Sequence, residues 1–525
     1  MINPYLPCNE FIADGEPYLF DGRVYIFGSH DLYGGKALCE GDYVCWSAPE
    51  SDLGDWRYEG VIYKRMQDPY IRKIVDTGKG SMFNQYLYAP DVVEIEGKYY
   101  LYYGVALSGS GIGVAEAEKP TGPYTYLGRV RYPEEAKPEN WTDTEDEIED
   151  GDMALGDGIP MLQLNPFKKH FGFHTRNYPY DPAVLYDEGR LFLYYGSGCC
   201  QVAELSMKDK CTLLKNPSTG RYESDRLLPA NLVRKDKAKI AAQDGWYMAN
   251  GTSIRKLEDT YYLSYYARNK NNCHAMCYST SKSPWGPFKY CGVLVSLGNG
   301  KFKNQKYPAA YGGNTHGGMV QLQGRWYQNY HRQTGDACSA RQACLAELVR
   351  KQDGTFEQAE FQSQVENGAG LSFAREYPAY AACVLTNRKG TTGKRAGSPF
   401  FQLKECERGI VDNKTGKKML QVVTGLKDGC IVGYKYIEFN VIEKQRMKVY
   451  ITLQNMAVGS VDIFAGRTEQ KNKLISVQID RALQNTKTYV GKFQAKAGKQ
   501  AVYFRFYGQK KETGFISFRF ERDEK

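Results

Sequence analysis

The sequence predicts an all-β chain, with a five-bladed β-propeller over residues 1–385 followed by a jelly-roll-like β-sandwich over residues 390–525. Three observations point there. One pattern, made of a polar residue, an apolar run, a Gly-containing turn and an aromatic strand, recurs five times. The chain carries 42 tyrosines and 54 glycines, a composition suited to strands and tight turns. After the fifth copy the pattern stops, and short runs alternating apolar with polar residues take over. At 525 residues the chain exceeds a typical single core, so two or more units are expected.

The first copy is Asp14-Gly-Glu-Pro-Tyr-Leu-Phe-Asp-Gly22, followed by Arg-Val-Tyr-Ile-Phe-Gly28. The second runs Asp91-Val-Val-Glu-Ile-Glu-Gly97 into Lys-Tyr-Tyr-Leu-Tyr-Tyr103. The third is Asp181-Pro-Ala-Val-Leu-Tyr-Asp-Glu-Gly189 into Arg-Leu-Phe-Leu-Tyr-Tyr195. The fourth is Asn250-Gly-Thr-Ser-Ile-Arg-Lys-Leu-Glu-Asp259 into Thr-Tyr-Tyr-Leu-Ser-Tyr265, and the fifth His316-Gly-Gly-Met-Val-Gln-Leu-Gln-Gly324 into Arg-Trp-Tyr-Gln-Asn-Tyr330. Each copy reads as a hairpin, because two strand-like runs flank a turn bearing Gly or Asp. A second hairpin signal follows several of them, as in Cys277 to Phe288 and Val114 to Tyr124. Four strands per unit, repeated at roughly 65 to 90 residues, is the pattern of propeller blades and too long for solenoid repeats.

After Glu376-Tyr-Pro-Ala-Tyr380 the blade pattern ends, and Arg388 to Arg395 reads as a linker or exposed loop. Beyond it, Arg446 to Leu453, Ser460 to Phe464 and Ala501 to Tyr507 alternate apolar with polar residues, as sandwich strands do.

Composition narrows the partners. The net charge of +9 arises from 69 basic and 60 acidic residues that are intermixed, so no clustered footprint for nucleic acid is expected. No run reaches membrane-spanning length, and Met1 to Pro7 lacks the form of a secretory signal. A cytoplasmic protein is expected from this. The 14 cysteines are scattered without CxxC spacing and read as reduced, mostly buried thiols, with Cys199-Cys200 as strand filler.

In a propeller the first strand of each blade lines the channel, so equivalent residues of the five copies converge at one mouth. Those residues are Asp14, Asp91, Asp181, Asn250 and His316. A single Asp at a strand start caps a turn as readily as it serves a site. Three at matched positions are costly to hold together and point to a site, and opposed carboxylates are the equipment of glycoside hydrolysis.

Taken together, Asp14 with Gly15-Glu16-Pro17, Tyr88-Ala89-Pro90-Asp91, Asp181-Pro182, Ser253-Ile254-Arg255-Lys256, His316 and Tyr330-His331-Arg332 resemble glycoside hydrolase family 43. The resemblance spans residues 1–385 and implies a five-bladed propeller acting as an inverting β-xylosidase or α-L-arabinofuranosidase. It implies Asp14 as the general base and Asp181 as the carboxylate that tunes the acid and orients the sugar. Asp91 would belong to the pocket wall, and His316 would lie near an axial water or cation site, which holds calcium in some relatives. No cofactor is required by the resemblance. Arg341 is, by position, a substrate contact, or else a plain surface or blade-closing residue. The C-terminal segment resembles a family 6 carbohydrate-binding module, through Gly433 to Tyr436 and Val502 to Phe504, and either binds sugar or braces the propeller.

One departure stands out. The family's general acid is a Glu at the start of the fourth copy, where this chain has Asn250. An amide has no proton to give at neutral pH, and general acid catalysis is worth about 10²–10⁴-fold. Three explanations remain open. Asp244 substitutes as the acid from the preceding loop, hydrolysis has been lost with sugar binding kept, or the asparagine is a substitution introduced on purpose.

Between the second and third copies, Glu134 to Asp157 forms an acidic run that lacks EF-hand spacing, followed by His170, His174 and Arg176; a loop over the pocket mouth is expected. The leading expectation is a glycosidase releasing terminal α-L-arabinofuranosyl or β-D-xylosyl residues from plant-derived oligosaccharides or polysaccharides. The alternative is a non-catalytic sugar-binding propeller. A protein-interaction propeller lacks the WD or kelch signature, and a fructoside-cleaving one would carry Arg-Asp-Pro where Tyr180-Asp181-Pro182 stands. Oligomeric state is not encoded legibly.

Overall fold

In the computed structural model, the described residues are 1–524 except 82–83, 106–110, 137–179, 197–199, 225–226, 229–244, 270, 272, 394–395, 413–415 and 481–484. Two-residue turns build the hairpins. Asp21-Gly22, Glu96-Gly97, Glu188-Gly189 and Gln323-Gly324 all take positive φ at both positions, the geometry that matches strand twist in a tight hairpin.

Five sheets result. The first orders β1 (Ile12–Phe20), β2 (Arg23–His30), β3 (Tyr43–Pro49) and β4 (Arg57–Tyr63); the second β5 (Leu87–Ile95), β6 (Lys98–Val105), β7 (Ile112–Ala117) and β8 (Thr125–Arg129). The third holds β9 (Ala183–Asp187), β10 (Arg190–Tyr195), β11 (Gln201–Leu205) and β12 (Leu213–Leu214). The fourth holds β13 (Trp246–Leu257), β14 (Thr260–Asn269), β15 (His274–Ser281) and β16 (Lys289–Ser296). The fifth has three strands, β17 (Met319–Leu322), β18 (Arg325–Gln333) and β19 (Arg341–Leu348). All pairings within these sheets are antiparallel and sequential, as in propeller blades.

The tyrosines explain why second strands read as unbroken aromatic runs. Along β6, Tyr99, Leu101 and Tyr103 enter the core shared with the first blade, whereas Tyr100 and Tyr102 enter the core shared with the third. Along β10 the same alternation sends Phe192 and Tyr194 one way, Leu191, Leu193 and Tyr195 the other. Successive side chains point to opposite faces, so a strand packed between two blades is apolar throughout.

The ring closes on the N-terminal segment. Asn3 lies beside β19, its Nδ2 donating to Leu345 O at 2.8 Å while Leu345 N donates to Asn3 Oδ1 at 2.9 Å, and Tyr5 N donates to Ala343 O. This segment occupies the place that a fourth strand takes in the other blades.

Two six-stranded sheets follow. One orders Leu371–Ser372, Ile431–Phe439, Gly498–Tyr507, Gly459–Ala465 and Lys473–Ile479, with Val384–Thr386 also on Ile431–Phe439. The other orders Phe400–Val411, Lys418–Thr424, Gly514–Arg522, Arg446–Gln454 and Thr486–Gln494, with Tyr377–Pro378 on Gly514–Arg522. Residues 371–386, which the sequence pattern leaves with the blades, therefore pair with the C-terminal sheets. The facing apolar sides make a sandwich whose core runs without a break into the fourth and fifth blades: Tyr262, Tyr278, Met319 and Tyr330 belong to the same buried cluster as Tyr434, Phe504 and Phe518. Across this junction Arg332 stacks on Phe361 and Phe401 and donates to Ala382 O, and Gln421 Nε2 donates to Gln342 Oε1 at 2.8 Å.

The 13 described cysteines are free thiols and most are buried; Cys199 lies outside the described residues. Among the described residues no helix is long and apolar enough to cross a membrane.

Candidate active site

First strands line the axis: β1 packs on β5 and β17, β5 on β9, and β9 on β13. At the site end three of these strands depart from regular pairing. Register shifts fall at Ala13/Glu16 in β1, at Tyr88/Asp91 in β5, and on both sides of Asn250 in β13. Such bulges re-aim side chains that a regular strand would send to a face. Asp14 and Asp181 have φ of 54° and 48°, a left-handed conformation that Asp tolerates through its short polar side chain.

Asp14 is 6 % exposed and surrounded by nitrogen. Arg341 Nη1 donates to its Oδ2 at 3.0 Å, and the Asp14 backbone N donates to His331 Nδ1 at 3.0 Å. His331 Nδ1 and His316 Nδ1 lie 3.4 and 3.7 Å from Oδ1. Burial opposes ionisation of Asp14, but the Arg341 guanidinium, helped by the Ser29 hydroxyl, outweighs it and holds the carboxyl far below the usual range. Burial pushes His331 down to about 3 and lowers His316 as well, so both rings are neutral. The His316 tautomer follows from Nε2, which donates to Thr252 O at 3.2 Å.

Arg341 does not reach its aspartate alone. Nε and Nη2 donate to the two oxygens of Asp31 at 2.9 and 2.8 Å, a two-pronged grip that fixes the guanidinium plane. Asp31 is anchored in turn by the Cys39 backbone N.

Asp181 is placed from the third blade. Its Oδ2 accepts from Gly251 N at 2.9 Å, and its carbonyl accepts from Thr252 Oγ1 at 2.9 Å. Gly251, at φ 70°, packs so tightly on the His316 ring that a Cβ there would sit 2.9 Å from it, which excludes any larger residue. Burial and the nearby Asp14 charge both raise the Asp181 carboxyl well above its ordinary value, which favours its protonated form. The rings of Tyr88 and Tyr180 stand 6.4 Å apart in one cluster with Cys39 and Leu38, forming an aromatic wall beside these carboxyls. Asn250 is half-buried next to Gly251, and its amide has no hydrogen-bond partner among the described residues.

A second charged layer lies along the axis. Glu16 Oε2 accepts from Arg255 Nη2 at 2.8 Å and Ser253 Oγ at 2.9 Å, while Oε1 has no hydrogen-bond partner among the described residues and stands 3.8 Å from His316 Nε2. Arg255 lies over the Tyr18 ring at 4.3 Å, and Tyr18 donates to Asp91 at 2.6 Å. One guanidinium thus serves two buried carboxylates. Burial raises both, Glu16 to about 8, and the pair holds a proton at neutral pH that resides on Glu16, because Asp91 also accepts from Val92 N and Val184 N.

The structure brings Asp14, Asp181, Asn250, His316 and Arg341 to one end of the axis and corrects two expectations. Asp91, expected in the pocket wall, is wholly buried with both oxygens bonded, so it ties β5 to β1 and β9 and cannot meet a sugar. Of the readings open for Arg341, a substrate contact and a surface role fail, because it is 2 % exposed and committed to Asp14 and Asp31; it joins the last blade to the first and positions the base. Asp244, His170, His174 and Arg176 lie outside the described residues. For the axial cation expected near His316, among the described residues no group of three His, Cys, Asp or Glu side chains is arranged to hold a metal. Sequence reasoning gave no role to Glu16, Asp31, His331 and Arg255, although charged residues inside aromatic strands were a usable signal.

Comparison with known proteins finds the following similarities. The model of "Glycosyl hydrolases family 43" matches residues 16–141 and 164–356. A xylosidase/arabinosidase of Thermoclostridium stercorarium is 35% identical over 458 residues, 85% of each chain. An arabinoxylan arabinofuranohydrolase of Paenibacillus polymyxa is 27% identical over 428 residues, 76% of this chain and 58% of that one. Among solved structures, the family 43 arabinoxylan arabinofuranohydrolase of Bacillus subtilis in complex with cellotetraose is 19% identical, covering 99% of this chain and 97% of its own, with a TM-score of 0.42.

Proposed function

The chain belongs to glycosyl hydrolases family 43, and on that premise we propose that this glycosidase removes terminal α-L-arabinofuranosyl or β-D-xylosyl residues from plant-derived oligosaccharides, with inversion. The observation that carries the reading is the Asp14 carboxylate, held ionised at the axis by Arg341. An ionised, desolvated carboxylate accepts a proton from water as that water attacks the anomeric carbon, the base role of an inverting glycosidase. The names of the relatives, xylosidase/arabinosidase and arabinoxylan arabinofuranohydrolase, support a pentose in the pocket. Neutral His316 and His331 frame the base without adding charge.

The sandwich serves as a brace, since it shares one core with the fourth and fifth blades. Sugar release from aryl and natural arabinosides and xylosides tests the reading. Hydrolysis by the wild-type chain that disappears in Asp14→Asn supports it. Asn250 favours one alternative, a pocket that binds sugar without cleaving it; hydrolysis appearing only in Asn250→Glu, with sugar binding in the wild type, would establish that instead.

A further inference from the structure

We infer that Asp181 is the general acid of this enzyme, delivering the proton to the leaving group. The inference rests on the hydrolase reading above and concerns the one role which that reading leaves vacant, because the Asn250 amide has no acidic proton.

Elimination by geometry leads there. Both oxygens of Asp31 are bonded by Arg341. Asp91 is sealed and accepts three hydrogen bonds. Glu16 offers only Oε1, a wholly buried atom behind His316. Asp181 differs from all three. Only its Oδ2 is bonded, by the backbone N of Gly251, so the carboxyl is fixed one residue from Asn250. Its Oδ1 has no partner among the described residues, and the residue keeps 5 % of its surface open beside the Tyr88 and Tyr180 wall.

Charge makes the same division of labour. The groups facing Asp181 are Asp14, Arg341, Tyr43 and Tyr180. Arg341 bonds Asp14 and not Asp181, so the environment pushes one carboxyl down and the other up. Two carboxyls separated in this way mark a base and an acid.

The step balances. The Asp181 O–H proton passes to the glycosidic oxygen as the bond from that oxygen to the anomeric carbon breaks, its electron pair staying on oxygen. Water bonds to the carbon from the other face and gives its proton to Asp14. The cycle ends with Asp14 protonated and Asp181 anionic, and solvent returns the proton.

The test uses the full chain with two aryl pentosides, a 2,4-dinitrophenyl glycoside that departs without protonation and a 4-nitrophenyl glycoside that gains from it. Asp181→Asn is expected to lose about 10²–10⁴-fold in kcat/KM on the poor leaving group and less than about tenfold on the good one. The basic limb of the pH profile should vanish in the variant, since wild-type activity falls as pH rises through the raised Asp181 value. Asp181→Glu, which keeps an acid, should recover part of the selective loss and serves as the second variant if Asp181→Asn fails to fold. An even loss on both substrates, a retained basic limb, or a selective loss in Asp244→Asn instead overturns the assignment while leaving the hydrolase reading intact. A wild-type chain that cleaves neither substrate overturns both.

Discussion

Removing the Arg341 cation should move the acidic limb of activity upward. Asp14 must be ionised to act as base, and Arg341 Nη1 at 3.0 Å is the only formal cation bonded to it among the described residues. At an effective dielectric of about 20, a charge pair at that distance is worth about 5 kcal/mol, or roughly 4 pH units at 1.36 kcal/mol each. Water entering the vacated space screens part of this, so a rise of about 2–3 units is expected. Arg341→Met alone would leave Asp31 buried and unpaired, at a cost of about 3–5 kcal/mol, so Asp31→Asn accompanies it. The assay is kcat/KM on the dinitrophenyl pentoside between about pH 3 and 8, with thermal melting to establish the fold. In the wild type no acidic limb appears down to the ordinary carboxylate value near 3.9; in the double variant it does. A folded double variant whose acidic limb has not moved refutes the assignment of Arg341 as the group that holds Asp14 ionised.

Glu16 makes stability fall with rising pH. Its folded value, about 8, lies above the ordinary 4.5, so the folded chain holds a proton that the unfolded chain has released. Between about pH 6.5 and 8.5, above the histidine range, the melting temperature should drop by roughly 1–2 °C, and Glu16→Gln should make the slope shallower. Tyr18→Phe removes the hydroxyl at 2.6 Å from buried Asp91 and is expected to cost about 1–3 kcal/mol in denaturant unfolding, with KM unchanged. A chain ending at Thr386 should fail to give a soluble, cooperatively melting propeller, because it would expose the core that the fourth and fifth blades share with the sandwich.

Much of this molecule was legible as pattern. The five repeats gave blade number, hairpin turns and the convergence of Asp14, Asp181, Asn250 and His316, because a repeat that aligns in sequence aligns around an axis. Asp91 misled because the sequence repeat hides the bulges: Asp14 lies within the bulge of β1, whereas Asp91 follows the bulge of β5, the place Glu16 holds in β1, and its carboxyl enters the wall between blades. Glu16, Asp31 and Arg255 escaped because their function is pairwise, and no periodicity reports that Arg255 will meet Glu16 239 positions away. The residues 371–386 were assigned to the blades because two- and three-residue strands carry too few alternations to declare their partners.

The seam of the ring has a consequence for assembly. Asp14 comes from the first blade and Arg341 from the last, 327 positions on, and they meet only where the N-terminal segment lies against β19. Loop closure over so long a span is entropically slow, and long-range pairing sets folding speed. A chain with all five blades formed but the seam open would have an Asp14 without its cation. Catalytic competence is therefore a readout of the joining of the molecule's two ends.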